Sequence, residues 1–339
     1  MGPARSIRSM GRSTESARGR WLPPDWPERI RALHRGELVP VTPRRAATVL
    51  LLRDAPARPG GEDGGLEVHL IRRRTSMAFA GGAYAYPGGG VDPRDEAVPP
   101  RLWAGPGPAE WARRLGTDPA SARAILCAVV RETFEEAGVL LAGPAGPAGT
   151  AAGVAPGIVP DTSGAEWEAD RLALVSRELS FGEFLLRRRL AMRTDLLGGW
   201  ARWITPEFEE RRYDTWFFVA ALPAGQRTRQ ASTESDRSVW LSPAAALRGY
   251  RAGGMLMMPP TVATLRRLAR HREVAGALAD AAARPAAAAE PVLARVRPAG
   301  GGTEELVVSW PGHDEFEYRI GRTGAVTGES ESEARGPRS

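Results

Sequence analysis

Lysine is missing from this chain, so all 46 basic side chains are arginine. Chemistry through a lysine Schiff base is excluded. Cysteine is nearly missing as well: Cys127 stands alone, so no intrachain disulfide can form and a reducing compartment suits the protein. Cys127 lies in an apolar stretch, where a buried small side chain is expected rather than a nucleophile. There is no run of 18 apolar residues, and no apolar core follows the N-terminal arginines. Neither a membrane span nor a secretory signal is expected, and a cytoplasmic protein is.

What is abundant points to a folded protein with many loops. The 339 residues are 42% hydrophobic, enough for a substantial core, and they include 39 Gly and 29 Pro. Net charge is +6. Residues 1–20 hold Arg5, Arg8, Arg12, Arg18 and Arg20 against Glu15, which reads as a disordered arm. Such an arm can touch nucleic acid. A solvated tail is the simpler reading and is preferred.

Residues 21–41 form a Pro-rich lead-in with one short helix. Residues 46–53 and 66–72 read as two strands of a hairpin. His69 falls within the second and is expected to be a sheet residue rather than a metal ligand. Residues 96–117 carry Trp103 and Trp111, which are expected to pin the segment to the body by burial; lining a base or acyl pocket is their alternative role. Asp118-Pro119 starts a helix running to Ala137, with Asp as cap and Pro at the first position. Residues 167–176 are helical. Ser180 to Glu183 is a capping box opening a helix through about Met192. Residues 203–206 and 215–222 are strands, 239–241 a short one, and 243–250 a helix. Residues 260–283 read as one amphipathic helix. From Arg284 an Ala/Pro-rich tail begins, with a hairpin at 305–310 and 316–320.

The stretch from Arg131 to Val139 carries the chemistry. Glu132, Glu135 and Glu136 stand at i, i+3 and i+4, so their carboxylates share one helix face. Clustered like charges repel, and the C-terminal half of a helix gives them no help. A hard divalent cation removes that cost and leaves positions open for phosphate and water. Gly138 ends the helix. Upstream lies a glycine-rich turn, Tyr86-Pro87-Gly88-Gly89-Gly90-Val91-Asp92.

Together these residues resemble the Nudix box of the Nudix hydrolases: an aromatic-Pro-Gly-Gly turn, then R-E-x-x-E-E-x-G-aliphatic. Gly89 stands as the first glycine of the box and Asp95 where its first glutamate usually stands. Thr133 takes a position that is usually aliphatic. Gly89 and Arg131 are 42 positions apart, an insertion of 28 residues relative to the usual spacing. Such an insertion is similar to the branch named for nucleoside diphosphate-linked moiety X motif 19, which is associated with coenzyme A diphosphatase activity. The resemblance runs from about residue 44 to 270.

The resemblance implies an α/β fold: an α/β/α sandwich around a mixed sheet, with a helical insertion in the box and extra C-terminal helices. The implied domain spans 21–283. It also implies that Glu132, Glu135 and Glu136 bind Mg²⁺ or Mn²⁺, joined by a backbone carbonyl of the Gly88-Gly89 turn. Arg131 would orient a glutamate. Glu132 and Glu234 are both candidates for the general base, while Asp92 and Asp95 are expected to shape the turn or hold water. Arg73, Arg74, Arg211 and Arg212 are candidates for contacts to substrate phosphate.

The implied reaction is hydrolysis of a diphosphate bond in a nucleoside diphosphate linked to another moiety, with coenzyme A or acyl-coenzyme A preferred. The upstream coenzyme A motif is partial. Leu70, Arg73 and Gly82 match it, but Arg74 and Ala78 do not. Pro259-Pro260-Thr261 also resembles the long-insert branch. The alternatives are hydrolysis of an RNA cap or 5′ end, and a non-catalytic nucleotide-binding regulator. Retention of all three glutamates disfavours the regulator. Oligomeric state is not readable.

Overall fold

The computed structural model describes residues 23–56, 64–76, 80–145, 157–229, 235–284, 288–299, 305–321 and 326–327. Helix α1 (Trp26–His34) leads into β1 (Arg44–Ala55) and β2 (Gly65–Arg73), an antiparallel pair. Short strands β3 (Tyr84–Ala85) and β4 (Gly88–Gly90) lay the glycine turn back along β2 and β1. The insertion supplies β5 (Trp103–Ala104) and α2 (Pro108–Leu115), and α3 (Pro119–Ala137) follows. Next come β6 (Ala142–Pro144), α4 (Ala165–Val175), α5 (Phe181–Arg188), β7 (Leu190–Arg193), β8 (Gly198–Ile204), β9 (Tyr213–Ala221) and β10 (Ser235–Leu241). Helices α6 (Pro243–Arg251), α7 (Pro259–Leu268) and α8 (Val274–Ala283) precede β11 (Pro291–Leu293), β12 (Arg295–Pro298), β13 (Leu306–Ser309), β14 (Tyr318–Ile320) and β15 (Val326–Thr327).

The main sheet runs β10-β2-β1-β9-β8-β11, with β3 and β4 attached to β2 and β1. β1 lies parallel to β9, and β11 parallel to β8; the other pairs are antiparallel, so the sheet is mixed. β1 is apolar along its centre because both its faces are covered. Ala47, Val49 and Leu51 pack into a cluster with Ile125, Val129 and Phe134 of α3. Leu50 and Leu52 belong to the opposite cluster, with Trp26, Leu247, Val262 and Leu265 from α1, α6 and α7. Alternation along one strand thus serves two helical layers. The α/β/α sandwich that the resemblance implied is the observed architecture.

Helix α3 holds the site in place. Asp118 accepts from Ala120 N and Ser121 N, both at 2.9 Å, with Pro119 at the first position. At the other end Gly138 takes φ 68°, and its N–H bonds Phe134 O. The boundaries match the expected helix. Thr133 replaces an aliphatic side chain without an orphaned hydroxyl, because Oγ1 donates to Val129 O at 2.6 Å. In the insertion Trp111 is buried edge-on to Phe218 at 5.9 Å, the expected pin. Trp103 is only partly buried, and its Nε1–H donates to Pro106 O. His69 is a buried sheet residue with Nε2 2.7 Å from Ser238 Oγ.

Five elements differ from their sequence reading, one of them β8, which begins at Gly198 and ends at Ile204 instead of spanning the expected 203–206. The helix opened by Ser180 stops at Arg188, not Met192. Arg189 caps it at φ 54°, and 190–193 becomes β7, whose backbone is claimed by β5 and β6. The single helix of 260–283 is two, because the chain opens between α7 and α8. There the Arg272 carbonyl accepts Leu66 N, and Asp54 Oδ1 takes the first free N–H of α8, that of Val274. β10 begins at Ser235, four residues before the expected strand, since it follows β2 along its length. The segment after Arg284 adds β11 to the edge of the main sheet. It also builds a second antiparallel sheet, β12-β13-β14-β15, which contains the expected hairpin. The arm of residues 1–20 lies outside the described residues.

Candidate active site

Packing of α3 against β1 brings the helix end beneath β4. Glu136 Oε2 accepts Gly88 N–H at 2.8 Å. A Cβ on Gly89 would lie 2.5 Å from Glu132 Oε1, and one on Gly88 2.4 Å from Thr48 Oγ1. Gly88 needs glycine on both counts, a φ of 159° and backbone of Thr48 within 2.6 Å of any Cβ, whereas at Gly89 the added atom would meet only the end of the Glu132 side chain.

Arg131 is the centre of the arrangement. Its guanidinium forks onto Asp95, with Nε to Oδ1 and Nη2 to Oδ2, both at 3.1 Å. Nη1 reaches Glu132 Oε1 at 2.8 Å and Glu135 Oε1 at 3.2 Å, and Nη2 also donates to Gly90 O at 2.9 Å. The four charged side chains are all at most 13% exposed. Asp95 also accepts Asp92 N–H, closing a capping box, and lies 3.3 Å from Cys127 Sγ. Asp95 thus shapes the turn, as expected, and Cys127 is fully buried.

Burial lifts the Glu132 carboxyl to about 7; Arg131 pulls against that rise and Glu135 adds to it. Burial also raises Glu135, again opposed by Arg131. Burial works against the Arg131 charge, but Glu132, Asp95 and Glu135 outweigh it, so its pKa lies above the ordinary value.

The glutamates line a cleft of about 950 Å³. Its wall also includes Arg44, Arg45, Arg73, Arg94, Arg177 and Arg211, and three indoles from distant segments, Trp26, Trp203 and Trp310. Arg45 is held by Ser121 Oγ and Glu96, and Arg94 by Asp92. The Nε of Arg73 is buried without a partner.

The profile of the NUDT19 Nudix domain matches residues 111–268. The acyl-coenzyme A diphosphatase NUDT19 of Gallus gallus is 30% identical over 261 residues, 66% of this chain and 68% of that protein. The chain belongs to the Nudix hydrolases. The acyl-coenzyme A diphosphatase NUDT19 of Homo sapiens is 29% identical over 263 residues, 67% of this chain and 68% of that protein. The crystal structure of a Nudix hydrolase from Alicyclobacillus acidocaldarius superimposes with a TM-score of 0.55 at 25% identity, covering 70% of this chain and 96% of that one. The chain is therefore a Nudix pyrophosphohydrolase.

The fold gathers Glu132, Glu135, Glu136, Arg131, Gly88, Gly89, Arg73 and Arg211 around the Nudix cleft. Arg74 and Arg212 do not line it. Arg74 is exposed. Arg212 is buried, donating to Thr205 O at 3.0 Å and Val41 O at 2.7 Å. Its guanidinium clamps backbone, so the phosphate contact expected of it is replaced by a structural one. Glu234 and Ala78 lie outside the described residues. Trp103 and Trp111 stay in the insertion, away from the cleft. Sequence reasoning missed Arg44, Arg177, Trp26 and Trp310. Only the tertiary fold brings them to the lining; within their own segments nothing marks them.

Among the described residues no group of three His, Cys, Asp or Glu side chains is gathered as a metal cage, and Arg131 stands between Glu132 and Glu135. The donors are nonetheless hard oxygens throughout: three carboxylates and the peptide carbonyls of the turn. Among those residues, too, no helix is long and apolar enough to cross a membrane.

Proposed function

We propose that this chain hydrolyses the diphosphate bond of a nucleoside diphosphate linked to another moiety, with coenzyme A or acyl-coenzyme A as the substrate class and Mg²⁺ or Mn²⁺ as cofactor. One observation carries the reading. Three glutamates at 132, 135 and 136 of α3 line, beside the glycine turn, the wall of a cleft large enough for a dinucleotide-sized ligand. The names of the two relatives at 29% and 30% identity support the substrate class.

The metal donors are Glu132, Glu135 and Glu136, joined by a carbonyl of Gly88 or Gly89. A bound divalent ion neutralises diphosphate charge and lowers the pKa of a water. Arg131 holds Glu132 and Glu135 in place at the cleft, where they would bind the ion. Glu132 and Glu234 are the two candidates for the general base; the lift of Glu132 to about 7 belongs to the site without its ion. Arg73 brings a guanidinium whose buried Nε lacks a partner, suited to a substrate phosphate.

The test is turnover with Mg²⁺ or Mn²⁺ against coenzyme A, acyl-coenzyme A, NADH, ADP-ribose and capped RNA. Hydrolysis of the coenzyme A compounds fastest, to a phosphoadenosine product and a 4′-phosphopantetheine, is the expected result. Fastest turnover of capped RNA would move the assignment to 5′-end processing. No turnover by folded, metal-loaded protein would overturn it.

A further inference from the structure

We infer that Arg44 and Arg211 form a second anion subsite in the cleft, which reads a phosphate monoester carried by the substrate in addition to its diphosphate. This rests on the hydrolysis of a nucleoside diphosphate derivative proposed above and adds a specificity determinant to it.

The two arginines reach the same place by backbone pairing. Arg44 opens β1, and its N–H bonds Arg212 O at 2.9 Å. In the parallel register Arg44 sits beside Tyr213, so Arg211 lies just ahead of its partner strand. Both line the cleft. The burial of Arg212 separates two consecutive arginines: one fixes backbone and the other is left at the cleft.

Three of the carboxylates near Arg211 in the chain are committed elsewhere; Glu207 is not among them. Glu209 accepts from Trp26 Nε1 at 2.7 Å, and Glu210 pairs with Arg29 at 2.7 Å. Asp214 is forked by Arg202 at 2.8 and 2.7 Å. Among the described residues neither Arg44 nor Arg211 has an ion pair or a side-chain hydrogen bond. Three other arginines of the same lining contrast with this, while Arg73 and Arg177 share the lack of a carboxylate partner among the described residues. Arg45, Arg94 and Arg131 are each held by carboxylates of the chain. Both side chains are exposed and line the cleft without a carboxylate partner of their own, and an anion with several acceptor oxygens can take donors from both.

The spacing separates this subsite from the diphosphate. Ala47 pairs with Gly89, which touches Glu132. Arg44 is three residues earlier on β1, about 10 Å away at the rise of a strand. One phosphate group cannot serve both places. A phosphate on the ribose of the same nucleotide lies within reach of an arginine side chain.

The experiment compares ligands that differ only by that monoester. Binding of adenosine 3′,5′-bisphosphate and of 5′-AMP to the full chain is measured by calorimetry without added metal. Turnover of coenzyme A and of 3′-dephospho-coenzyme A is measured with Mn²⁺. Wild type is expected to favour the 3′-phosphorylated member of each pair by roughly tenfold to a hundredfold. In Arg44→Gln/Arg211→Gln that ratio falls toward one, and each single variant lies between. Arg44→Lys, which keeps the charge, recovers part of it. A wild-type ratio near one, or a ratio retained in the folded double variant, overturns the subsite. Binding discrimination without turnover of either coenzyme A compound keeps the subsite and overturns the hydrolysis reading instead.

Discussion

The glutamate part of the cleft and its aromatic part are built in opposite ways. Residues 88–95 and 131–136 make the first, and Arg131 ties them through Asp95, Glu132, Glu135 and Gly90. The second takes Trp26, Trp203 and Trp310 from segments far apart in the chain. Rings pack edge-on there instead of charges pairing: Trp26 on Phe208 at 5.0 Å and Tyr318 at 5.9 Å, Trp310 on Tyr318 at 5.7 Å. One part concentrates charge that a ligand must rearrange. The other provides a preformed apolar surface whose cost was met in folding. The charged groups and the aromatic wall are thereby placed on separate structural supports.

Substitutions can break this division. The largest effect is expected from Glu135→Gln, which removes a carboxylate proposed to bind the metal while keeping its shape. Hydrolysis should fall by roughly a thousandfold or more, with little change in the melting curve. Surviving activity would remove Glu135 from the metal site. Trp310→Ala should act on both counts, costing about 3–5 kcal/mol in denaturant unfolding because the ring is nearly buried, and raising KM more than it lowers kcat. A loss confined to kcat would place Trp310 with the chemistry and erase the contrast.

Asp95→Asn should cost about 3 kcal/mol, since a buried guanidinium loses its forked partner while Glu132 and Glu135 still hold it. An unchanged melting temperature would show that the link between the two halves of the box is dispensable. The smallest effect is one of pH. Because Glu132 is lifted to about 7, Mn²⁺ must displace its proton below that value. Affinity should weaken by up to about tenfold for each unit below 7 and level off above it. The same group makes the metal-free fold less stable as pH rises from its ordinary carboxyl range through 7, because the folded state holds the proton more tightly than the unfolded one. Calorimetric titration from pH 5.5 to 8 checks both, and a flat metal affinity would remove Glu132 from the donor set.

Features written into short windows were readable before the fold was seen. Asp118, Pro119 and Gly138 bound α3 by local hydrogen bonding, and the glutamate spacing needs only the helical period. Pairings across long distances were not readable. Arg131 and Asp95 are 36 positions apart, and their fork depends on β4 lying over α3. Arg211 and Arg212 look alike in the chain and differ only because carbonyls of Val41 and Thr205 surround the second. The gap between α7 and α8 is set by Leu66 and Asp54, more than 200 residues upstream. Trp310 sits in an Ala/Pro-rich region whose composition reads as a tail, yet β11 and the small sheet fasten it to the body.

That fastening has a consequence for how the enzyme comes into being. Trp26 emerges among the earliest of the cleft's lining residues during translation and Trp310 is the last of them. The helix, turn and glutamates can assemble while the ribosome is still at work, but the aromatic surface cannot close around a ligand until residue 310 has cleared it. A nascent chain therefore holds the glutamates of its cleft before it holds the last indole of the cleft wall.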